Sequence, residues 1–345
     1  MRVGNGRARR AVVAVGAALL STVGLASGAY GLTRPATHRP AAALQTLRIS
    51  LDFYANVDYL GIYAAMANGY FAQQGIKPVI IPYSGVPAET LLKTNKTDIG
   101  LTYPPNIPAN RAAGLKYRAI GGVTEVNTID LAVLAKSKFT NVAQLSGQLY
   151  GGFGTPSDPA IITAIFKKAG VAHPVFKQVT LQTAAYTALA AGRVAYTTVF
   201  GGIDDVTAEL QGIKLRLFPD RNYLGAAMSF PDDAFVALDS EIASNAGLLR
   251  RGLKALSEGY VWSAHHPAQS EAILIKDNPT ALAHSKNIVD ATGNVTATTF
   301  LTKSGQWGVM NSAMFSGITS ILASGGALKG VTPAATDDYT NSLLP

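Results

Sequence analysis

No cysteine occurs anywhere in the 345 residues. That absence removes disulfides, thiolate catalysis, iron–sulfur clusters and cysteine zinc sites in one step. Histidine is scarce too: the five present (His38, His173, His265, His266, His284) never approach metal-ligand spacing, so no metal site is expected. No Ser, His and Asp set is grouped as a nucleophilic triad would be. Charged residues make up only 14% of the chain against 48% hydrophobic ones, which excludes a disordered protein. The formal charge of +8 includes six Arg in the first forty residues, where no acid occurs. The remainder is mildly basic and has no Lys/Arg stripe interleaved with aromatics, so no nucleic-acid partner is expected.

What is there begins with the layout of a secretory signal. "MRVGNGRARR" is cationic, and Ala11 to Gly31 runs for 21 residues without a charge. Small residues offer cleavage after Gly28 or Ala29, and a Pro-containing linker, "TRPATHRPAAA", follows. An uncleaved membrane anchor is the alternative, because such a length can just span a bilayer. Arg9-Arg10 is compatible with the twin-arginine export route. Gly28 stands in "LASG" where a lipoprotein box would carry its acylated Cys, so no thioether lipid anchor is possible. The mature protein is expected to begin near residue 30 and to work outside the cytoplasm, extracellular, periplasmic or associated with the cell envelope.

Beyond the linker, strand-like and helix-like runs alternate. "LRISLDF", "KPVIIPY", "TDIGLTY" and "YRAIGGVT" are apolar and β-rich, with helical spacing in "LGIYAAMANGYFAQQG", "GVPAETLLKTN" and "PNIPANRAAG" between them. Such alternation predicts parallel sheets with crossover helices. The pattern restarts at "IDLAVLAKS" and returns at "DDAFVALDS", after which it is mostly helical. The chain is therefore divided into a signal (1–30), a linker (31–45), a discontinuous first lobe (45–128 and 226–345) and an inserted second lobe (129–225). Two crossings, near 126–132 and 221–228, predict a hinge and a cleft.

In open α/β sheets ligands sit beyond the carboxyl ends of the strands. The stretch "LDFYANVDYLGIYAA" follows the first strand and concentrates Asp52, Asn56 and Asp58 with Phe53, Tyr54, Tyr59 and Tyr63. Two readings of the polar trio stand: turn and helix-cap chemistry, or hydrogen bonding to the polar edge of a planar ligand. The rings are core residues or stacking surfaces. "YSGVPAE" and "GFGTPSDP" each place a glycine turn before a helix N-terminus, read either as an anion-binding end, which makes Ser84, Gly85, Gly154 and Thr155 candidates, or as ordinary turn and cap chemistry. Asp158 in the first turn of the second of these helices would repel an anion there. "GGFG" lacks the spacing of a dinucleotide fingerprint. Tyr103 and Asn106 after the third strand, and Phe200 and Asp204 in the inserted lobe, complete the candidate ligand-binding set.

With these motifs in order, the chain from about residue 46 onward resembles the solute-binding proteins of ABC importers, in the branch related to thiamine-pyrimidine synthesis and to sulfonate or nitrate binding. "DFYANVDYLGIY" resembles that branch's D-W-x-P-N-T-N-H-T-G-x-Y: Asp52, Asn56, Gly61 and Tyr63 match, while Phe53, Asp58 and Tyr59 replace Trp, Asn and His. "YSGVPAETLLKTNKTDIGLTY", "LSGQLYGGFGTPSDPAI", "WGVMNSAMFSGITSILASGGAL" and "YTNSLLP" resemble its later segments. The resemblance implies a periplasmic-binding-protein type II-like α/β fold, with two lobes and a hinged ligand cleft. It implies a monomer without cofactor that carries a small planar nitrogen heterocycle to ABC permease subunits. A sulfonate, nitrate or other small organic anion is the alternative ligand. The branch also contains fungal pyrimidine synthases, which need a Lys, a His and a cysteine-rich iron motif. Thr102 and Asn106 stand at the apparent Lys and His positions here, and "LGAAMSF" lies where the iron motif would be. Synthase chemistry is therefore not expected.

Overall fold

The computed structural model describes residues 43–283 and 286–345. The signal segment, all but the end of the linker, His38 and His284 lie outside the described residues. The first strand, β1 (Gln45–Ser50), turns Leu47 and Ile49 into the interior. It is the second strand of a five-stranded sheet ordered β2-β1-β3-β10-β4, completed by β2 (Ile76–Ile81), β3 (Ile99–Thr102), β4 (Tyr117–Gly122) and β10 (Ala234–Leu238). A second five-stranded sheet, ordered β7-β6-β8-β5-β9, contains β5 (Ile129–Leu134), β6 (Leu149–Gly152), β7 (Lys177–Thr180), β8 (Tyr196–Phe200) and β9 (Leu215–Pro219).

Neither sheet is purely parallel. In the first, β10 runs antiparallel to both β3 and β4; in the second, β5 runs antiparallel to both β8 and β9. Both odd strands follow directly on a passage between the sheets, β5 after residues 123–128 and β10 after residues 220–233. A strand that enters a sheet from the side of its neighbours' carboxyl ends must run against them. Strand–helix alternation implies crossovers, but it carries no information on these two entry directions.

Two main cores result. One packs Leu47, Ile49, Leu60, Phe71, Leu101 and Phe235 with Tyr260 and Trp307, whose rings stack at 4.8 Å. The other packs Leu131, Tyr150, Ile165, Phe166 and Tyr196. The helix Ser312–Ser324 serves both sides of the molecule: Phe315 packs with Tyr117 and Val236, whereas Ile318 and Leu322 belong to the core around Tyr196. The chain beyond this helix covers the exposed edge of β4. There the Ala119 amide donates to the Asp338 carbonyl at 2.8 Å, and the Thr340 amide donates to the Ala119 carbonyl at 2.8 Å.

Candidate functional site

The parallel register of β1 and β2 sends Leu51 and Pro82 off the same end of the first sheet. Because β10 is antiparallel, the residues preceding it, Asp232 and Asp233, emerge at that end too. The second sheet contributes the loops after β6, β8 and β9 and the start of β5. Residues more than 170 positions apart thus meet in one region.

The loop after β1 is held by its own side chains. The Asn56 carboxamide oxygen accepts from the Asp58 amide at 2.8 Å and caps the short helical turn Val57–Tyr59, while its Nδ2 donates to the Tyr54 carbonyl at 3.1 Å. Tyr59 is fully buried and so does not line the cleft as a ring. Its hydroxyl donates to Asp52 Oδ1 at 2.8 Å and accepts from the Phe53 amide at 3.1 Å. Both residues shape the loop, and their local hydrogen bonds leave Phe53 (37% exposed) and Tyr54 (57% exposed) outside. Tyr63 is buried in the helix Leu60–Ala67, with its hydroxyl donating to Asn278 at 3.0 Å. Tyr59→Phe should cost about 1.5 kcal/mol of folding stability, the worth of a hydrogen bond to a charged group, with ligand affinity falling as Asp52 and Phe53 loosen. Urea melts beside a ligand titration measure both.

Phe53 and Tyr54 join two rings that the sequence motifs did not single out, Tyr83 from the loop after β2 and Phe153 from the loop after β6. Ring centroids are 5.6 Å apart for Phe53–Tyr54, 6.4 Å for the stacked pair Phe53–Tyr83, and 6.1 Å for Phe153 to each of Phe53 and Tyr83. Three rings from the first sheet therefore face one from the second. Ser84 and Gly85 follow Tyr83 and are exposed. Gly154, at φ +98°, makes the turn after Phe153, and its missing Cβ would lie 2.6 Å from Thr180 Cγ2. Thr155 donates to Asp158 and also bonds Ser157 at 3.1 Å, so it arranges the start of the helix Asp158–Lys168. Across the cleft the Ser157 hydroxyl donates to the Asn106 carboxamide oxygen at 3.4 Å. Tyr103 is half-buried, with its ring edge-on to Phe230 at 5.7 Å. Phe200 donates its amide to Asp204 at 2.9 Å, so Asp204 anchors the turn after β8.

Carboxylates dominate the interior of this region. Asp58 is only 4% exposed, and its Oδ1 has no hydrogen-bond partner. With Thr128, Asp130, Arg221, Asp232, Ile203 and Thr296 it lines a cavity of about 370 Å³. Asp232 accepts from the Thr128 amide at 2.8 Å and hydroxyl at 3.1 Å, which ties the two passages between the sheets together. Burial pushes the Asp232 carboxyl up to about 7. Burial, and then the neighbouring Asp52, pushes Asp233 well above the usual carboxylate range; burial also raises Asp52. Asp58 is raised well above that range by burial and by the charges of Asp232, Asp52 and Asp204. Sequence motifs did not point to Asp130, Asp232 or Asp233. "FPDDAF" carries the only clue to the last two, a pair of acids opening an apolar strand. Among the described residues no group of three or more His, Cys, Asp or Glu is placed to hold a metal ion, and no helix is long and apolar enough to cross a membrane.

Flat rings around deep acceptor groups, set between two α/β sheets, define a binding-protein cleft. The fold agrees: the periplasmic aliphatic sulphonate binding protein SsuA from Escherichia coli superposes with a TM-score of 0.64 at 17% identity, over 85% of this chain and 97% of that one. The chain belongs to the NMT1/THI5-like family, whose model matches residues 56–270. Among curated relatives, the formylaminopyrimidine-binding protein of Halalkalibacterium halodurans is 21% identical over 244 residues, which is 69% of this chain and 72% of that protein. A putative thiamine biosynthesis protein of Haemophilus influenzae is 24% identical over 156 residues, 45% of this chain and half of that protein.

Proposed function

We propose that this protein is the exported solute-binding component of an ABC importer, and that it captures a small planar nitrogen heterocycle of the thiamine-pyrimidine type. The observation that carries the reading is the four-ring cluster of Phe53, Tyr54, Tyr83 and Phe153, drawn from both sides of the cleft. A planar ring that parts Phe153 from Phe53 and Tyr83, each now 6.1 Å from it centroid to centroid, gains stacking on two faces when the cleft closes over it. Asp52, held by Tyr59, supplies an acceptor beside the rings. The passages 123–128 and 220–233 act as the hinge between the lobes, and ligand shifts the population toward the closed form that a membrane permease engages. The protein performs no chemistry of its own and works as a monomer. The family membership and the formylaminopyrimidine-binding relative support the ligand class.

A thermal-shift panel of 4-amino-2-methylpyrimidines, ethanesulfonate and nitrate tests this. At a hundredfold excess over its Kd, a true ligand adds about 2.7 kcal/mol, roughly 5 °C for a chain of this size. Phe53→Ala and Tyr83→Ala should each weaken the pyrimidine about tenfold, or ~1.4 kcal/mol. A shift with ethanesulfonate and none with any heterocycle would overturn the reading.

A further inference from the structure

We infer that the cavity beside Asp58 is a subsite for a positively charged nitrogen group, so that the ligand is a heterocycle bearing a protonated amine or amidinium arm. The inference deepens the reading above and rests on it for the heterocycle, but its evidence is separate. Asp58 is shielded from solvent by the fold (4% exposed), lines the cavity, and leaves Oδ1 without a donor. A buried acceptor without a partner is costly, and a charged donor placed against it makes a short, strong hydrogen bond.

The rest of the wall points to the same ligand charge. Asp130 and Asp232 join Asp58 there, against a single guanidinium, Arg221, which is exposed and already donates to the Asn127 carbonyl. The backbone donors at the wall are engaged as well. The Gly201 amide donates to the Thr128 carbonyl, the Gly202 amide to Asp205, the Ile203 amide to the Phe200 carbonyl and the Thr128 amide to Asp232. None of those four amides is free for an anion, and any of the three buried carboxyls that ionises would repel it. A cation is matched by the carboxyls of Asp58, Asp130 and Asp232, which it draws into their ionised forms, with Ile203 and Val295 beside them for the methylene that carries the charge. The volume, about 370 Å³, suits a small substituent better than a second ring system.

Isothermal titration of the purified protein with matched probes decides the matter. One pair is 4-amino-2-methylpyrimidine carrying a 5-aminomethyl or a 5-hydroxymethyl group; the other is benzylamine against benzyl alcohol, with ethanesulfonate as the anion. The amine of at least one pair should bind about tenfold tighter than its neutral partner or better. That advantage should collapse in Asp58→Asn, the ratio of amine to neutral affinity falling to within about twofold of one. Asp130→Asn, at a half-buried position, should shrink the advantage about threefold and decides alone if Asp58→Asn does not fold. Equal affinities within both pairs, or an advantage that survives in the variants, overturns the inference even if neutral pyrimidines bind. Conversely, an Asp58-dependent preference for benzylamine with no binding of either pyrimidine supports the cation subsite and overturns the heterocycle reading.

Discussion

Gly259→Ala should destabilise the protein by about 3 kcal/mol or more, although the same change in an exposed helix would stabilise by up to ~1 kcal/mol. Gly259 lies in the helix Ala246–His265, where it crosses the helix Leu60–Ala67. A Cβ on Gly259 would sit 2.1 Å from the Gly61 carbonyl oxygen and 2.7 Å from Ala65 Cβ. On the facing helix a Cβ on Gly61 would fall 2.2 Å from the Tyr260 ring. Neither neighbour can yield, because one is helix backbone and the other a ring stacked on Trp307 at 4.8 Å. The two helices must therefore move apart, and the core around Tyr260 opens with them. The effect reaches the cleft, since the Tyr260 hydroxyl donates to the Asp58 carbonyl at 2.8 Å and braces the turn that carries that carboxylate. Gly247→Ala, in the same helix with nothing within 4 Å of the added carbon, is the control and should be neutral or slightly stabilising. Urea melts of both variants check the contrast. Equal, small changes would show that the crossing relaxes without penalty.

The sequence exposed the half of this site that is local. Asp52, Phe53, Tyr54, Asn56 and Asp58 lie within a few residues of one strand end, and the topological rule for α/β sheets places that end at the cleft. Residue type alone could not say which ring turns inward. Tyr59 and Phe53 look alike as aromatics, but Tyr59 follows Val57 into the core at the start of the helix, and Phe53 does not. The non-local half was illegible for a physical reason. Asp232 and Asp233 reach Thr128 and Asp52 only because β10 enters the first sheet antiparallel, and apolar periodicity is blind to strand direction. Phe153 lies in a glycine-rich turn, where residue type gives no sign of which way its ring points. The helix Ser312–Ser324 shows a related limit. Its apolar pattern predicts burial, yet two different cores share its side chains, so assigning 226–345 wholly to the first lobe leaves out Ile318 and Leu322.

Lowering the pH from 8 to 5.5 should make the ligand-free protein more stable, opposite to the loss expected of a protein held by ionised carboxylates. Burial pushes Asp158 and Asp204 up to about 6 and Asp232 up to about 7. In the unfolded chain these groups titrate near 3.9. Between roughly pH 4 and 7 the native state therefore binds more protons than the unfolded state, and stability rises as pH falls. The contribution is fully present below the unfolded values and is lost as pH rises through 6 and 7. Asp239 works the other way: burial raises its carboxyl, but the nearby Arg118 and Arg111 together outweigh that and hold it below the usual range, so its contribution is lost only at lower pH, outside this window. Each tenfold difference in proton affinity between the native and the unfolded chain is worth about 1.4 kcal/mol. After allowance for relaxation around the carboxyls, roughly 3 kcal/mol in total is expected, or a rise of about 6 °C in Tm. Thermal melts at constant ionic strength across pH 5–8 measure it, and a midpoint that is flat or climbs with pH would refute it. A bound cation reverses the preference, because it draws Asp58 and its neighbours into their ionised forms. The saturating amine probe should therefore stabilise most at pH 8 and least at pH 5.5. Benzyl alcohol, which has no basic nitrogen, should add the same increment at both, which separates the charge of benzylamine from its shape in a single series of melts.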